Sequence, residues 1–121
     1  MMKYLNQTGL AYLWSKAKTA FAPRFAPIVT INTDTTLTAA HAGCLLECSG
    51  DITITIPAEV LPLRAELEIF NYGSGTITIA PISSSVLIYS KDNALTIPHQ
   101  YTCATLKQVY GDEWLLVGDL A

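Results

Sequence analysis

Ile52-Thr53-Ile54-Thr55-Ile56-Pro57 alternates isoleucine with threonine without a break, and Thr76-Ile77-Thr78-Ile79-Ala80-Pro81 does so again. A β-strand turns successive side chains to opposite faces, so each stretch puts isoleucines on one face and threonines on the other. The closing prolines lack the N–H that a central ladder needs, so they mark where pairing ends. These two stretches decide the fold class in favour of strands with one apolar face each.

Working outward, the same kind of pattern recurs in Ile28-Val29-Thr30-Ile31-Asn32, Cys44-Leu45-Leu46-Glu47-Cys48 and Val86-Leu87-Ile88-Tyr89. Glu66-Leu67-Glu68-Ile69-Phe70 alternates with its acids towards water, and Thr102–Tyr110 and Glu113–Gly118 complete the set. Turn sequences separate them at His41-Ala42-Gly43, Ser49-Gly50-Asp51, Asn71-Tyr72-Gly73-Ser74-Gly75 and Tyr110-Gly111-Asp112-Glu113, the last short enough for a tight hairpin. Short strands with frequent turns predict an all-β domain over residues 28–121: an antiparallel, jelly-roll-like β-sandwich, with a small barrel left open. Thr-Ile-Thr-Ile-Pro, Thr-Ile-Thr-Ile-Ala-Pro and Leu-Thr-Ile-Pro also hint at a solenoid, but their unequal intervals count against one. Threonine-rich outer faces and exposed strand edges suit a protein that sits beside other protein copies.

The first 27 residues read differently. Leu10, Leu13, Trp14, Ala17 and Phe21 fall at helical spacing on one side, after possible N-caps at Asn6 and Thr8. Lys16 and Lys18 lie where cations complement a helix dipole, and Pro23 and Pro27 end the segment in an extended connector. A helix of this length is marginal alone in water, so its apolar stripe needs cover. Either it folds onto its own β-domain, or it meets other copies or a partner protein. Trp14 is read as an interface anchor, because tryptophan is enriched at the buried centres of protein contacts.

Composition narrows the function classes. The 121 residues are 50% hydrophobic and 14% charged, which suits one domain with a buried core and argues against disorder. No apolar run approaches the ~20 residues of a membrane-spanning helix, and the polar start lacks the apolar region of a secretory signal. Residues 1–26 carry four cations and no acid, a formal +4, whereas the remainder carries −7. A basic arm on an acidic body fits an arm that packs on its body or meets an acidic partner. It does not fit a nucleic-acid protein, since the acidic body would repel phosphate. Cys44, Cys48 and Cys103 lack the spacing of a zinc site, and a strand would hold the first two too far apart for a disulfide. They are expected as buried, reduced thiols that act as small hydrophobes.

No catalytic constellation is legible. His41 and His99 stand outside any motif, and no nucleophile elbow, phosphate loop, zinc-protease or calcium-loop spacing occurs. Glu66 and Glu68 share a strand face without a sequence sign of a cleft, and Asp92-Asn93 and Asp112-Glu113 read as turns. The expectation is a non-enzymatic protein with no cofactor and no metal. Trp114 is expected in the core or at its rim. As an alternative, Tyr101, Tyr110 and Trp114 could stack on a sugar ring.

Two stretches resemble parts of a known class. Tyr4–Phe21, with Thr-Gly-Leu, Leu-Trp, Lys-x-Lys and a closing Phe, resembles a leader at the start of many phage fibre and virion proteins. Thr36 to Gly43, Thr53 to Pro57, Gly73 to Ile79, and Ala104 to Leu120 (Ala-Thr-Leu-Lys … Glu-Trp-Leu-Leu-Val-Gly-Asp-Leu) resemble a β-domain of phage and prophage structural proteins. The resemblance implies a head-decoration, head-fibre or tail-fibre component in a class where trimers are frequent. Its implied partners are further copies of the chain and a major capsid or tail protein, with assembly in the bacterial host cytoplasm and no role for membrane or nucleic acid. Because no repeat region follows Leu120, a capsid decoration or short adaptor is expected over a receptor-binding tip. The alternative is a host-surface or carbohydrate-binding module of a tail fibre.

Overall fold

The computed structural model describes residues 26–121. The expected helix and its stripe of Leu10, Leu13, Trp14, Ala17 and Phe21 lie outside the described residues. Ten strands follow in chain order: β1 (Ile28–Ile31), β2 (Thr35–Thr36), β3 (Leu45–Cys48), β4 (Ile52–Ile56), β5 (Glu66–Asn71), β6 (Ile77–Pro81), β7 (Leu87–Tyr89), β8 (Thr96–Ile97), β9 (Thr102–Tyr110) and β10 (Glu113–Gly118).

The fold is all-β, as expected, but its sheets are mixed, which corrects the antiparallel, jelly-roll-like sandwich. One sheet has six strands in the order β1-β3-β5-β9-β10-β7, and the other has four in the order β2-β4-β6-β8. β1, β3 and β5 pair in parallel, and so do β2, β4 and β6. The chain therefore winds: each coil runs through a strand of the larger sheet, turns a corner, and runs through a strand of the smaller one. Three such coils stack in solenoid fashion. Antiparallel β8 on β6 and β9 on β5 then close the stack with a coil traversed in the opposite direction.

The unequal sequence intervals that argued against a solenoid are absorbed outside the strands. Ile28 pairs with Leu45 and Leu45 with Glu68, a shorter step followed by a longer one. The longer step contains the 57–65 loop, which buries Leu61 and Ala65 and is tied down by long-range bonds. The Glu59 N–H donates to Asp112 Oδ1 at 2.9 Å, and the Arg64 N–H donates to Gln108 Oε1 at 2.7 Å. What repeats is strand, corner and strand; the return loop is free to vary.

Registration places like on like. Ile52, Ile77 and Ile97 form one inner row, and Ile54 with Ile79 another, all of them buried. Thr53, Thr78 and Thr96 form a matching row on the outer face of the smaller sheet. Burying one isoleucine contributes roughly 1.5–3 kcal/mol, so these rows supply much of the drive to fold. Trp114, Leu46, Leu67, Ile69, Leu106 and Leu116 face them from the larger sheet.

The corners, read from sequence as turns, are where one coil rests on the next. A Cβ added to Gly75 would lie 2.3 Å from the Gly50 carbonyl carbon, so only glycine lets these backbones meet. Beside this contact runs a repeated carboxylate bridge. Asp34 Oδ1 accepts the Thr53 N–H at 2.9 Å, and Asp51 Oδ1 accepts the Thr76 N–H at 2.8 Å, each aspartate tying its corner to the following coil. Backbone donors that the bend takes out of the ladder thus keep an acceptor.

Two substitutions probe this stack by equilibrium urea unfolding. Ile54→Ala should lower stability by about 2–5 kcal/mol. Gly75→Ala should also be strongly destabilising, although it adds a single carbon, whereas Gly111→Ala should be mild because its added Cβ meets nothing within 4 Å.

Candidate functional site

The inner faces of both sheets are filled, so chemistry must come from the outer faces, the strand edges and the loops. Parity fixes the outer face of the larger sheet. Glu66, Glu68 and Phe70 of β5 alternate with buried Leu67, Ile69 and Asn71. Cys103, Thr105 and Lys107 of β9 do the same against buried Ala104 and Leu106. Glu66 and Glu68 share a face, as their spacing predicted, and Glu66 Oε2 lies 3.7 Å from Lys107 Nζ across the strand pair. Both of those side chains are more than half exposed, and such a pair contributes at most ~1 kcal/mol.

At the far end of the same face the polar row becomes aromatic. Phe70 stands opposite Cys103, and Asn71 opposite Thr102, which brings Tyr72 and Tyr101 opposite each other just beyond the last paired residues. Ring centroids are 6.0 Å apart for Phe70 and Tyr72 and 6.1 Å apart for Tyr72 and Tyr101, with interplanar angles of 70° and 72°. Edge-to-face contacts of this kind add about 0.5–1.5 kcal/mol each beyond burial. Tyr72 is 52% and Tyr101 67% exposed. Neighbouring bonds hold the loop that carries Tyr101: its N–H donates to Asn71 O at 2.7 Å, Gln100 Nε2 donates to Tyr72 O at 3.2 Å, and Thr102 Oγ1 donates to His99 O at 2.6 Å.

The aromatic residues singled out from sequence are thereby separated. Tyr101 and Tyr110 sit at opposite ends of β9, about 30 Å apart at ~3.4 Å per residue, and form no common platform. Trp114 is 1% exposed and packs in the core, where its indole can present no face to a sugar; the core reading holds, and Trp114 drops out of the stacking alternative. Phe70 and Tyr72 were missed. Their signal was present, since both share sequence parity with the water-facing Glu66 and Glu68, and an aromatic ring at such a position has to stand on the outer surface.

The remaining candidates have structural duties. His41 Nδ1 accepts the Thr38 N–H at 2.9 Å within a short 3-10 turn, Ala39–His41. Tyr89 donates its hydroxyl to Glu113 Oε1 at 2.6 Å, while Asp112 holds the 57–65 loop as described above. Asp92 and Asn93 fall in a second 3-10 turn, Lys91–Asn93, at the lip of an open groove of about 740 Å³ that Val117 and Leu120 also line. Among the described residues, no three His, Cys, Asp or Glu side chains gather as a metal site. Leu87, Tyr89, Leu115 and Val117 form a second exposed apolar area where β7 and β10 run side by side.

The thiols divide by burial. Cys44 and Cys48 are buried as expected, but Cys103 is exposed, because the parity of β9 turns it to the outer face; all three are without a disulfide. Burial pushes the Cys48 thiol from 9.0 up to about 12, and the adjacent Glu47 carboxylate acts in the same direction. The Tyr89 phenol is also raised, chiefly by its hydrogen bond to Glu113. Comparison with protein-family models and with curated proteins gives no match.

Two outcomes follow for the thiols. In the native protein Cys103 should react promptly with a disulfide reagent, while Cys44 and Cys48 should react only on unfolding. A thiol that holds its proton more tightly when folded stabilises the fold below its unfolded value near 9 and loses that contribution as pH rises towards 12. Thermal stability should therefore fall across that window, less so in Cys48→Ala, as scanning calorimetry at a series of alkaline pH values would show.

Proposed function

We propose that the chain is a non-enzymatic structural component of a bacteriophage particle, a capsid decoration, head fibre or short fibre part held by its N-terminal arm. The observation that best supports this reading is the polarity of the stack. Its last forward coil is closed by the reversed strands β8 and β9, whereas β1 and β2, the first coil, are outer strands of their sheets. The arm joins the body at that first coil. An outer strand as apolar as Ile28-Val29-Thr30-Ile31, with Ile28 63% exposed, is a natural pairing surface for further chains.

In this reading the arm supplies assembly and the body supplies a rigid outward module. Symmetric association would bury Leu10, Leu13, Trp14, Ala17 and Phe21 of every copy around a common axis, with a trimer the proposed state. The arm's +4 and the body's −7 would let arms engage acidic surfaces of neighbouring copies or of a capsid or tail protein. The body itself then needs no chemistry, and its buried isoleucine rows suit a rigid part. Pro27 O accepts the Leu45 N–H at 2.9 Å, which ties the last residue of the arm to the second coil.

Light scattering of the full chain, of a chain starting at Ala26 and of Trp14→Glu tests the proposal. The full chain should have the mass of a trimer at micromolar concentration, and both altered chains should be monomers with unchanged β-type circular dichroism. A monomeric full chain would overturn the assembly role of the arm.

A further inference from the structure

We infer that the row Phe70, Tyr72 and Tyr101, with the polar side chains beside it, is a stacking platform for a pyranose chain: a saccharide-binding surface on the outer face of the larger sheet. The inference depends neither on the arm nor on a particle.

The first support is the backbone of Tyr101. Its φ of +64° lies in the left-handed region, which strains a non-glycine residue of this bulk and is normally given to Gly or Asn. Folding alone would favour either of those at this corner. Instead the position carries a large ring that is 67% exposed and so recovers little by burial. Strain kept at an exposed aromatic residue points to a role outside the fold.

The second support is how the rings are held. Tyr101 leans edge-to-face on Tyr72, and Tyr72 on Phe70, while the Gln100 and Asn71 bonds fix the loop beneath. A platform with little freedom left to lose binds with a smaller entropic cost.

The third support is the company the rings keep. Strand register sets Glu47 beside Phe70 and Thr30 beside Glu47, and Gln100 and His99 are exposed next to Tyr101. Exposed rings bordered by a carboxylate, an amide and an imidazole, with a hydroxyl one strand further out, match one chemistry well. A pyranose with equatorial hydroxyls offers a flat C–H face for stacking and a rim of hydroxyls for hydrogen bonds. The strip is narrow for a protein partner, whose contacts need a broader apolar centre. Sugars of β-D-gluco configuration have the flattest C–H faces and are the class proposed.

The platform is also well placed. It lies at the end of β5 and the start of β9, whereas the arm enters before β1, two strands away and at the opposite ends of the parallel strands.

The test is a titration of the isotopically labelled full chain with cellotetraose and with chitotetraose, followed by amide and aromatic chemical shifts. Saturable shifts confined to residues around Phe70, Tyr72, Gln100 and Tyr101, with a Kd in the millimolar range or below, are expected for at least one of them. Tyr72→Ala should weaken binding about tenfold. Tyr101→Asn separates ligand from fold. It should weaken binding to a similar degree while leaving the melting temperature equal or higher, since Asn tolerates the left-handed backbone. Loss of stability in Tyr101→Asn with binding intact would show that the ring serves the fold and would overturn the inference. So would the absence of saturable shifts with both sugars, shifts centred elsewhere, a response to choline but to neither sugar, or concentration-dependent broadening of these resonances without sugar. The saccharide response and the mass of the full chain are read by separate measurements, so the two proposals stand or fall separately.

Discussion

The close approach of one corner to the next, Gly75 over the Gly50 peptide, is the constraint on which the rest of the structure depends. Two sheets can share one winding chain only if the bends between them stack as tightly as the strands do, at about 4.8 Å. A side chain at Gly75 would push the third coil away from the second. The Asp34 and Asp51 bridges work at the same place, giving bent backbone an acceptor on the neighbouring coil. With the corners set, identical residues fall into register by necessity. The isoleucine rows inside and the threonine rows outside are the consequence.

A stack of parallel coils has an end at each side, and the chain treats its two ends differently. On one side β8 and β9 run back antiparallel and place a full-length hairpin strand, β10, and then β7 beyond them. On the other side β1 remains an outer strand at the point where the N-terminal segment joins. That asymmetry gives the stack of coils a direction. It also explains why the surface is not uniform. Threonines occupy rows where strands lie side by side, whereas the aromatic row lies where β5 and β9 run out into corners and rings can stand clear of neighbours.

Much of this was legible in the chain. The strict alternation at Ile52–Ile56 and Ile77–Ile79 identified strands and their inner faces, and the Ser49-Gly50-Asp51 and Gly73-Ser74-Gly75 turns were placed correctly. The core position of Trp114 and the reduced state of the cysteines were also readable. The aromatic platform was half visible: Tyr101 was singled out, while Phe70 and Tyr72 needed their parity with Glu66 and Glu68 to be followed past the end of the strand. Tyr110 looked equivalent to Tyr101 in sequence and proved to be a strand length away, because proximity in this surface is set by pairing between β5 and β9.

Sequence by itself determined which residues extend, where they bend and which faces are apolar, because a period of two and the chemistry of glycine and proline act within a few residues. Only the tertiary structure decided which strands are neighbours and in which direction they run. Alternation is the same for parallel and antiparallel partners, so Ile-Thr-Ile-Thr-Ile carries no record of its pairing. The choice was made by the long-range fit of the Gly50 and Gly75 corners and by loops of unequal length that let distant rungs come into register.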